Sequence, residues 1–352
     1  MRQFRSNPKD ENNGMKAFNP TDFRQEFPAI SDKITYLDSA ATALKPHAMI
    51  EATQQFYQQD SATVHRSQHQ SALSLTVRFE ETRQQVADFI NAPTADNIIW
   101  TRGTTEAINL VAQSYARPRL QTGDEIIVSE AEHHANLIPW LMVAEQTGAR
   151  VVKLPIGADH LPDLQQLPHL LNDKTRLLAL GQMSNVTGGS PDLAEAIELA
   201  HQYNCVVMVD GAQGVVHNPA DVQALDIDFY AFSAHKLYGP TGIGVLYGKS
   251  ELLDQMPAWQ GGGKMLTHAS FDGFTSHEVP YRFEAGTPNI AGVIGFSAVL
   301  SWLEHIDLAE AEAYSQNLAT LAENKLARTR SELASGGTSS INIAVMVRAV
   351  RS

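Results

Sequence analysis

The polar residues best placed for chemistry fall in four short segments, each directly after a short apolar run. Ser233-Ala234-His235-Lys236 follows the run DFYAF. A lysine there is partly desolvated, which lowers its pKa and favours the neutral amine that forms a Schiff base. The alternative is a surface lysine on a loop. The glycine-rich stretch from Tyr238 to Gly244 comes next and would let backbone pack closely around a bulky group. Asp210-Gly211-Ala212-Gln213 follows CVVMV, where a carboxylate beside a glycine can approach a ligand; a turn-forming or capping aspartate is the competing reading.

Arg102-Gly103-Thr104-Thr105-Glu106 follows NIIW and opens a helical pattern. Exposed backbone N–H groups, the helix dipole and the hydroxyls of Thr104 and Thr105 make it an anion site, unless the threonines only cap their own helix. Glu132-His133-His134-Ala135-Asn136 follows EIIVS, and a histidine ring there could lie flat against an aromatic ligand. A polar helix start and a metal pair, His133 with His134, are the alternatives. Adjacent ligands on one turn point apart, and no partners stand at metal spacing, which disfavours metal. Together the four segments offer a lysine for a Schiff base, an acid for a ring nitrogen, an anion cradle and a flat ring. That set describes pyridoxal 5′-phosphate.

Ligands of open α/β sheets collect at the carboxyl ends of strands, so the elements must bring these segments to one edge. The apolar runs Asn97–Trp100, Glu125–Ser129, Arg150–Leu154, Arg176–Leu180, Cys205–Val209, Ile227–Phe232 and Ile243–Tyr247 are too short for helices and mostly rich in β-branched or aromatic residues. They alternate with helical patterns at Thr105–Tyr115 and Asp192–Tyr203, and with a weaker one at Asp163–Leu171 that Pro168 interrupts. This rhythm predicts a mostly parallel sheet covered on both faces. Helices are also expected at 46–59, 71–91, Ile290–Glu304 and Leu308–Ala327.

The 352 residues suit about two domains. Lys and Arg number 26 against 39 Asp and Glu, a formal charge of -13 that argues against nucleic acid as a partner. One cysteine, Cys205, excludes an intramolecular disulfide and a cysteine-cluster metal site in this chain, and a reducing cytoplasm fits. The uncharged run Ala285–Leu303 is interrupted by Gly286, Thr287, Pro288 and Asn289, so it reads as a buried helix rather than a membrane span. A nucleotide loop is disfavoured because Gly248 comes one position too late after Gly242-x-Gly244, and Gly248-Lys249-Ser250 has Ile243 where a phosphate loop needs glycine.

Residues from about 18 to 327 closely resemble the cysteine desulfurases of the class V aminotransferase superfamily, especially the branch that includes cysteine sulfinate desulfinase. The matching segments are YLDSAATALKP (36–46), VHRS (64–67), WTRGTTEAINLVA (100–112), AEHHANLIPW (131–140), MSNVTGG (183–189), VDGAQG (209–214), FSAHKLYGPTGIGVLYG (232–248) and EAGTPN (284–289). The resemblance implies a type I fold of pyridoxal-phosphate enzymes and conversion of L-cysteine to L-alanine and sulfane sulfur, with cysteine sulfinate or selenocysteine as further substrates. Such sulfur would feed iron–sulfur cluster or related biosynthesis. It implies that Lys236 holds the cofactor and moves the α-proton, that Asp210 pairs with the pyridine nitrogen, and that Gln213 donates to the phenolic oxygen. His133 would stack on the ring and serve in proton transfer. Thr105, Ser233 and His235 would hold the phosphate, with Thr287 reaching in from a second subunit of a homodimer. Asn185 would lie near cofactor and substrate, and His65 beside the entrance. A sulfur-acceptor protein is an implied partner.

The implied domains are an N-terminal arm at 15–35, a large cofactor domain at 36–303 and the start of a small domain at 304–352. Residues 1–14 read as a disordered extension or an over-called start before Met15. The family's C-terminal nucleophilic cysteine and carboxylate-binding arginine have no match, and after about Arg328 the likeness fades. Arg348 and Arg351 are placed by no motif. Cys205 reads as a small buried hydrophobe, with a raised pKa. A truncated or frameshifted product with impaired persulfide transfer is therefore expected, with an inactive cofactor-binding remnant or scaffold as the alternative.

Overall fold

A computed structural model describes residues 17–335 apart from 32, 34 and 66–68, with backbone alone from 328. The expected extension at 1–14, the strand-like segment Ile341–Val347, Arg348 and Arg351 lie outside the described residues. Seven apolar runs become seven strands: β1 Ile98–Thr101, β2 Glu125–Ser129, β3 Arg150–Leu154, β4 Thr175–Gly181, β5 Val206–Asp210, β6 Phe229–Ser233 and β7 Gly244–Gly248. They form one sheet in the order β1-β7-β6-β5-β4-β2-β3. All pairings are parallel except those of β7, which runs antiparallel to both β6 and β1. The connection from Ala234 to Ile243 holds only a 3₁₀ turn, too short for the crossover that a parallel neighbour requires.

Side chains alternate across the sheet into two cores. Ile98, Ile127, Leu178, Leu180, Val207, Val209, Tyr230, Phe232 and Val245 face one side. Ile99, Ile126, Val128, Leu177, Ala179, Met208, Phe229, Ala231 and Leu246 face the other. At ~1.5–3 kcal/mol for each large apolar side chain fully removed from water, these two layers dominate the stability of the sheet.

The helices are α1 Pro20–Gln25, α2 His47–Gln55, α3 Gln70–Phe89, α4 Thr104–Leu110, α5 Ile138–Thr147, α6 Leu167–Leu170, α7 Leu193–His201, α8 Gly214–His217, α9 Ser250–Asp254, α10 Ile290–Leu303 and α11 Leu308–Ser335. Asp192 caps α7 as its sequence position suggested, its side chain accepting from Glu195 N at 3.0 Å. The weak pattern at 163–171 yields only the single turn α6, with Pro168 in its first turn, where the missing N–H costs nothing. Helix α10 is apolar all round and buried against the first core. Among the described residues no helix is long and apolar enough to cross a membrane.

A hairpin of β8 Leu266–Ser270 and β9 Gly273–Ser276 was not anticipated, although Asp272-Gly273 is a turn signal. Its Phe271 and Phe274 stand exposed. Between α3 and the segment before α10 lies a buried ion pair. Arg83 Nη1 meets Glu284 Oε1 at 2.5 Å, and Lys264 Nζ meets Glu284 Oε2 at 3.2 Å. Glu284 also accepts from the Trp100 N–H at 2.9 Å. Burial opposes ionisation of Glu284, but the charges and hydrogen bonds of Arg83 and Lys264 outweigh it and hold its carboxyl below the usual range.

Removing one partner leaves Arg83 charged and buried with half its ligands gone. Glu284→Ala is therefore expected to lower the unfolding free energy by about 3–5 kcal/mol in denaturant titration. A loss below about 1 kcal/mol would show that the pair does not anchor this segment.

Candidate active site

Five parallel strands place their carboxyl ends along one edge, and the first residues beyond them enclose a cavity of about 510 Å³. Its wall includes Thr104, Thr105, Glu132, His133, Asn185, Asp210, Gln213, Ser233, His235 and Lys236. Nine of the ten residues expected to bind cofactor therefore share one space; Thr287 does not. The size is ordinary for a small-molecule site.

Asp210 ends β5, next to β6 in the sheet, and its Oδ1 accepts from Ala212 N at 2.9 Å. Burial raises its pKa, while Lys236 and His133 pull the other way. Lys236 stands three residues after the end of β6. Burial lowers its pKa, and Asp210 offsets part of that. The amine and the carboxylate thus stabilise each other's charge across the cavity.

The end of the cavity expected to hold an anion is built from the segments after β1 and β6 together. Ser233 Oγ accepts from Thr104 N at 2.8 Å and lies 2.7 Å from Thr104 Oγ1. This contact requires β7 to come very near the loop after β1: a Cβ on Gly244 would lie 2.3 Å from Gly103 Cα. Thr105 is exposed and lines the cavity. His235 Nδ1 lies 3.1 Å from Thr42 Oγ1, and burial and Lys236 lower its pKa.

His133 caps its own short turn, Nδ1 accepting from Ala135 N at 3.1 Å, so a neutral ring carries its proton on Nε2. Burial and the Lys236 charge lower its pKa and favour that neutral ring. Gln213 Nε2 donates to Ala40 O at 2.7 Å and keeps a second hydrogen for a ligand.

One expectation about glycines needs correction, and a second glycine has a role of its own. The Asp210 carboxylate lines the cavity as expected, and the missing side chain of Gly211 makes room for the Tyr230 ring, 2.2 Å from where a Cβ would sit. Gly239 likewise makes room for Phe296 and Ala234, and no glycine of the 238–244 loop lines the cavity. These glycines pack the scaffold behind Lys236.

His65 and Thr287 lie elsewhere in this chain. His65 Nε2 pairs with Glu80 Oε1 at 3.0 Å, and its ring packs edge-on against Tyr281. Thr287 lines a separate cavity of about 590 Å³ with Trp100, Gly242 and Trp259. Among the described residues, no group of three or more His, Cys, Asp and Glu comes together as a metal site.

The sequence reading assigned no role to Lys45 or Glu132. Lys45 Nζ donates to Ala43 O at 2.7 Å and His235 O at 2.9 Å, bracing the turn before Lys236, and burial brings its pKa down to about 8. Glu132 is a cavity-wall carboxyl whose pKa is pushed up to about 8 by burial and by Asp210. Its place beside His133 was the only available signal.

A family model described as aminotransferase class-V matches residues 35–347. The chain belongs to that family. The chain is 66% identical over 314 residues to the cysteine desulfurase CsdA of Escherichia coli K12, spanning 89% of this chain and 78% of that one. A probable cysteine desulfurase of Vibrio cholerae is 52% identical over 300 residues, 84% of this chain and 74% of its own. The crystal structure of CsdA superposes with a TM-score of 0.84 over the same shares. The apo cysteine desulfurase of Thermococcus onnurineus does so at 35% identity and 0.84, covering 88% and 76%. This class V chain is a pyridoxal-phosphate-dependent enzyme of the cysteine desulfurase group. Its family match continues to residue 347, beyond Arg328, where the motif likeness fades.

The one cysteine of the class V chain lies outside the cavity. Cys205 is fully buried, and burial with the nearby Asp228 pushes its thiol up to about 12. A thiol reagent at pH 8 is expected to label it only as fast as the protein unfolds; rapid labelling of native protein would contradict this burial. Glu132 gives a pH signature. A carboxyl whose pKa is raised on folding adds stability at low pH that is lost as pH rises through the folded value. Relative to Glu132→Gln, cofactor-free protein should lose stability between the ordinary carboxylate range and about pH 8. A flat difference over that window would contradict this half-buried placement.

Proposed function

We propose that this chain removes sulfur from cysteine-like amino acids, with pyridoxal 5′-phosphate held in the 510 Å³ cavity. The carrying observation is that Lys236, Asp210 and the hydroxyls of Thr104, Thr105 and Ser233 share one wall, a donor set that fits this cofactor. When bound, the cofactor supplies an electron sink for the substrate's α-carbon. Lys236 would hold it covalently and then carry the α-proton, a task suited to an amine whose pKa burial has lowered. Asp210 would keep the ring nitrogen protonated. Gln213 would donate its spare hydrogen to the phenolic oxygen, and the neutral His133 ring would lie on the cofactor face. Thr105, Ser233 and His235 would grip the phosphate, and Asn185 would face the substrate.

We propose a homodimer in which Thr287 completes the partner's site and His65 flanks its entrance. Supporting this, the buried indole N–H groups of Trp100 and Trp259 find no acceptor among the described residues, and both line the cavity that holds Thr287. Leu73 and Val77 on α3 and Tyr57 after α2 are exposed apolar side chains that a partner could cover. The large domain would run from 36 to 303, ending with α10, and a small domain would begin at 304 with the stretch leading into α11. A sulfur-acceptor protein and a cytoplasmic setting complete the proposal.

Among these 352 residues the single thiol is Cys205, which is buried away from the cavity. L-Cysteine, whose sulfur leaves best to an attacking thiol, should therefore turn over poorly. Cysteine sulfinate and selenocysteine depend less on such a nucleophile and should yield alanine faster. The test is spectral and chemical: purified protein should show a visible band that borohydride bleaches, and Lys236→Ala should lack it. Rapid alanine release from L-cysteine would overturn the substrate order. A bound cofactor with no turnover of any of the three would favour a binding scaffold.

A further inference from the structure

The turn that carries His133 is tied to the sheet by a side chain with no part in the chemistry above. Glu132 Oε1 accepts from Gly181 N at 2.8 Å, and Glu132 Oε2 accepts from Asn136 Nδ2 at 2.6 Å. Asn136 is buried, and its Oδ1 accepts from Trp140 Nε1 at 3.0 Å. An indole nitrogen can only donate, so the Asn136 amide can face only one way. Its Nδ2 must point at residue 132, which must accept. The polarity of the whole chain is thus set by Trp140, a fully buried side chain of α5.

Both ends of this chain reach the site. Gly181 is the register partner of Asp210 across β4 and β5, and the next residue, Gln182, donates its N–H to Asp210 O at 2.9 Å. The approach is close enough to favour glycine: a Cβ at 181 would lie 3.3 Å from Glu132 Oε2. At the other end, Asn136 N donates to His133 O at 2.8 Å and closes the turn on which the histidine ring sits. We propose that Glu132 is a positioning residue, clamping the His133 turn to the end of the strand that registers Asp210. It sets the spacing between the stacking ring and the carboxylate. Both carboxyl oxygens are engaged by donors, one on the sheet and one on the turn, so the side chain braces the two together.

This inference rests on the cavity being the pyridoxal phosphate site, and its test separates the two. Glu132→Gln sets an amide N–H against Asn136 Nδ2, donor facing donor. Asn136→Asp sets two carboxyls against each other. The double variant restores a donor facing an acceptor and keeps the bond to Trp140. Full-length holoprotein of each is compared by cofactor dissociation constant and by induced circular dichroism of the visible band, with apoprotein melting measured alongside. Each single change is expected to weaken cofactor binding about tenfold and to diminish the induced dichroism, and the double variant to return within about threefold of wild type. The proposal is overturned if the single variants leave both cofactor readouts unchanged, if they lower melting alone, or if the double variant is no better than either single. Wild-type protein without a visible band would overturn the reading of the cavity itself, before any variant is compared.

Discussion

The site depends on one ammonium and one carboxylate held in the same poorly solvated cavity. Either group alone would lose much of its charge there, because ions buried without a partner are costly. Lys236 and Asp210 come from adjacent parallel strand ends, so the sheet itself fixes their separation. Burial pushes each toward neutrality and the opposite charge pulls it back. That balance lowers the pKa of the amine and raises that of the acid.

Much of the remaining architecture keeps those strand ends still. Tyr230, fully buried in β6, fills the space that Gly211 leaves beside Asp210, and its hydroxyl donates to Gln182 Oε1 at 2.6 Å. Lys45 ties the His235 carbonyl to the segment at 36–46. The antiparallel β7 brings Gly244 against Gly103, so that Thr104 can reach Ser233. The Arg83–Glu284 pair does the same for the segment leading to Thr287. Packing and polar anchors therefore act at the same few strand ends.

The strands, the two-faced core and the residues at strand ends were legible because each rests on local pattern. Runs such as VVMV are apolar on both faces, and Asp210 and Lys236 follow directly after such runs. What stayed hidden was non-local. The glycines of the 238–244 loop read as packing around a ligand because sequence cannot show which face of a strand end they serve. The reversal of β7 was foreshadowed only by the length of a loop. Arg83 and Glu284 are 201 positions apart, and nothing in their spacing announces a shared buried contact. Glu132 was passed over because a carboxylate beside two histidines reads as an ordinary polar turn until its burial is known.

The charge count of the cavity explains how these groups coexist. Among the groups that burial pushes toward neutrality, one ammonium, Lys236, faces two carboxyls, Asp210 and Glu132, while the exposed Asp38 also lines the cavity; the histidine rings of 133 and 235 both favour neutrality. Two ionised carboxylates beside a single ammonium would leave an uncompensated buried charge. Glu132, raised toward neutrality by burial and by Asp210 itself, gives up its charge first. For Asp210 the charges of Lys236 and His133 work against burial and favour its ionised form. A neutral acid at 132 still accepts from Gly181 and Asn136, so its structural bonds survive the loss of charge. The same burial that makes Glu132 a poor ion thus lets it serve as a fixed anchor without competing with Asp210 for the cation.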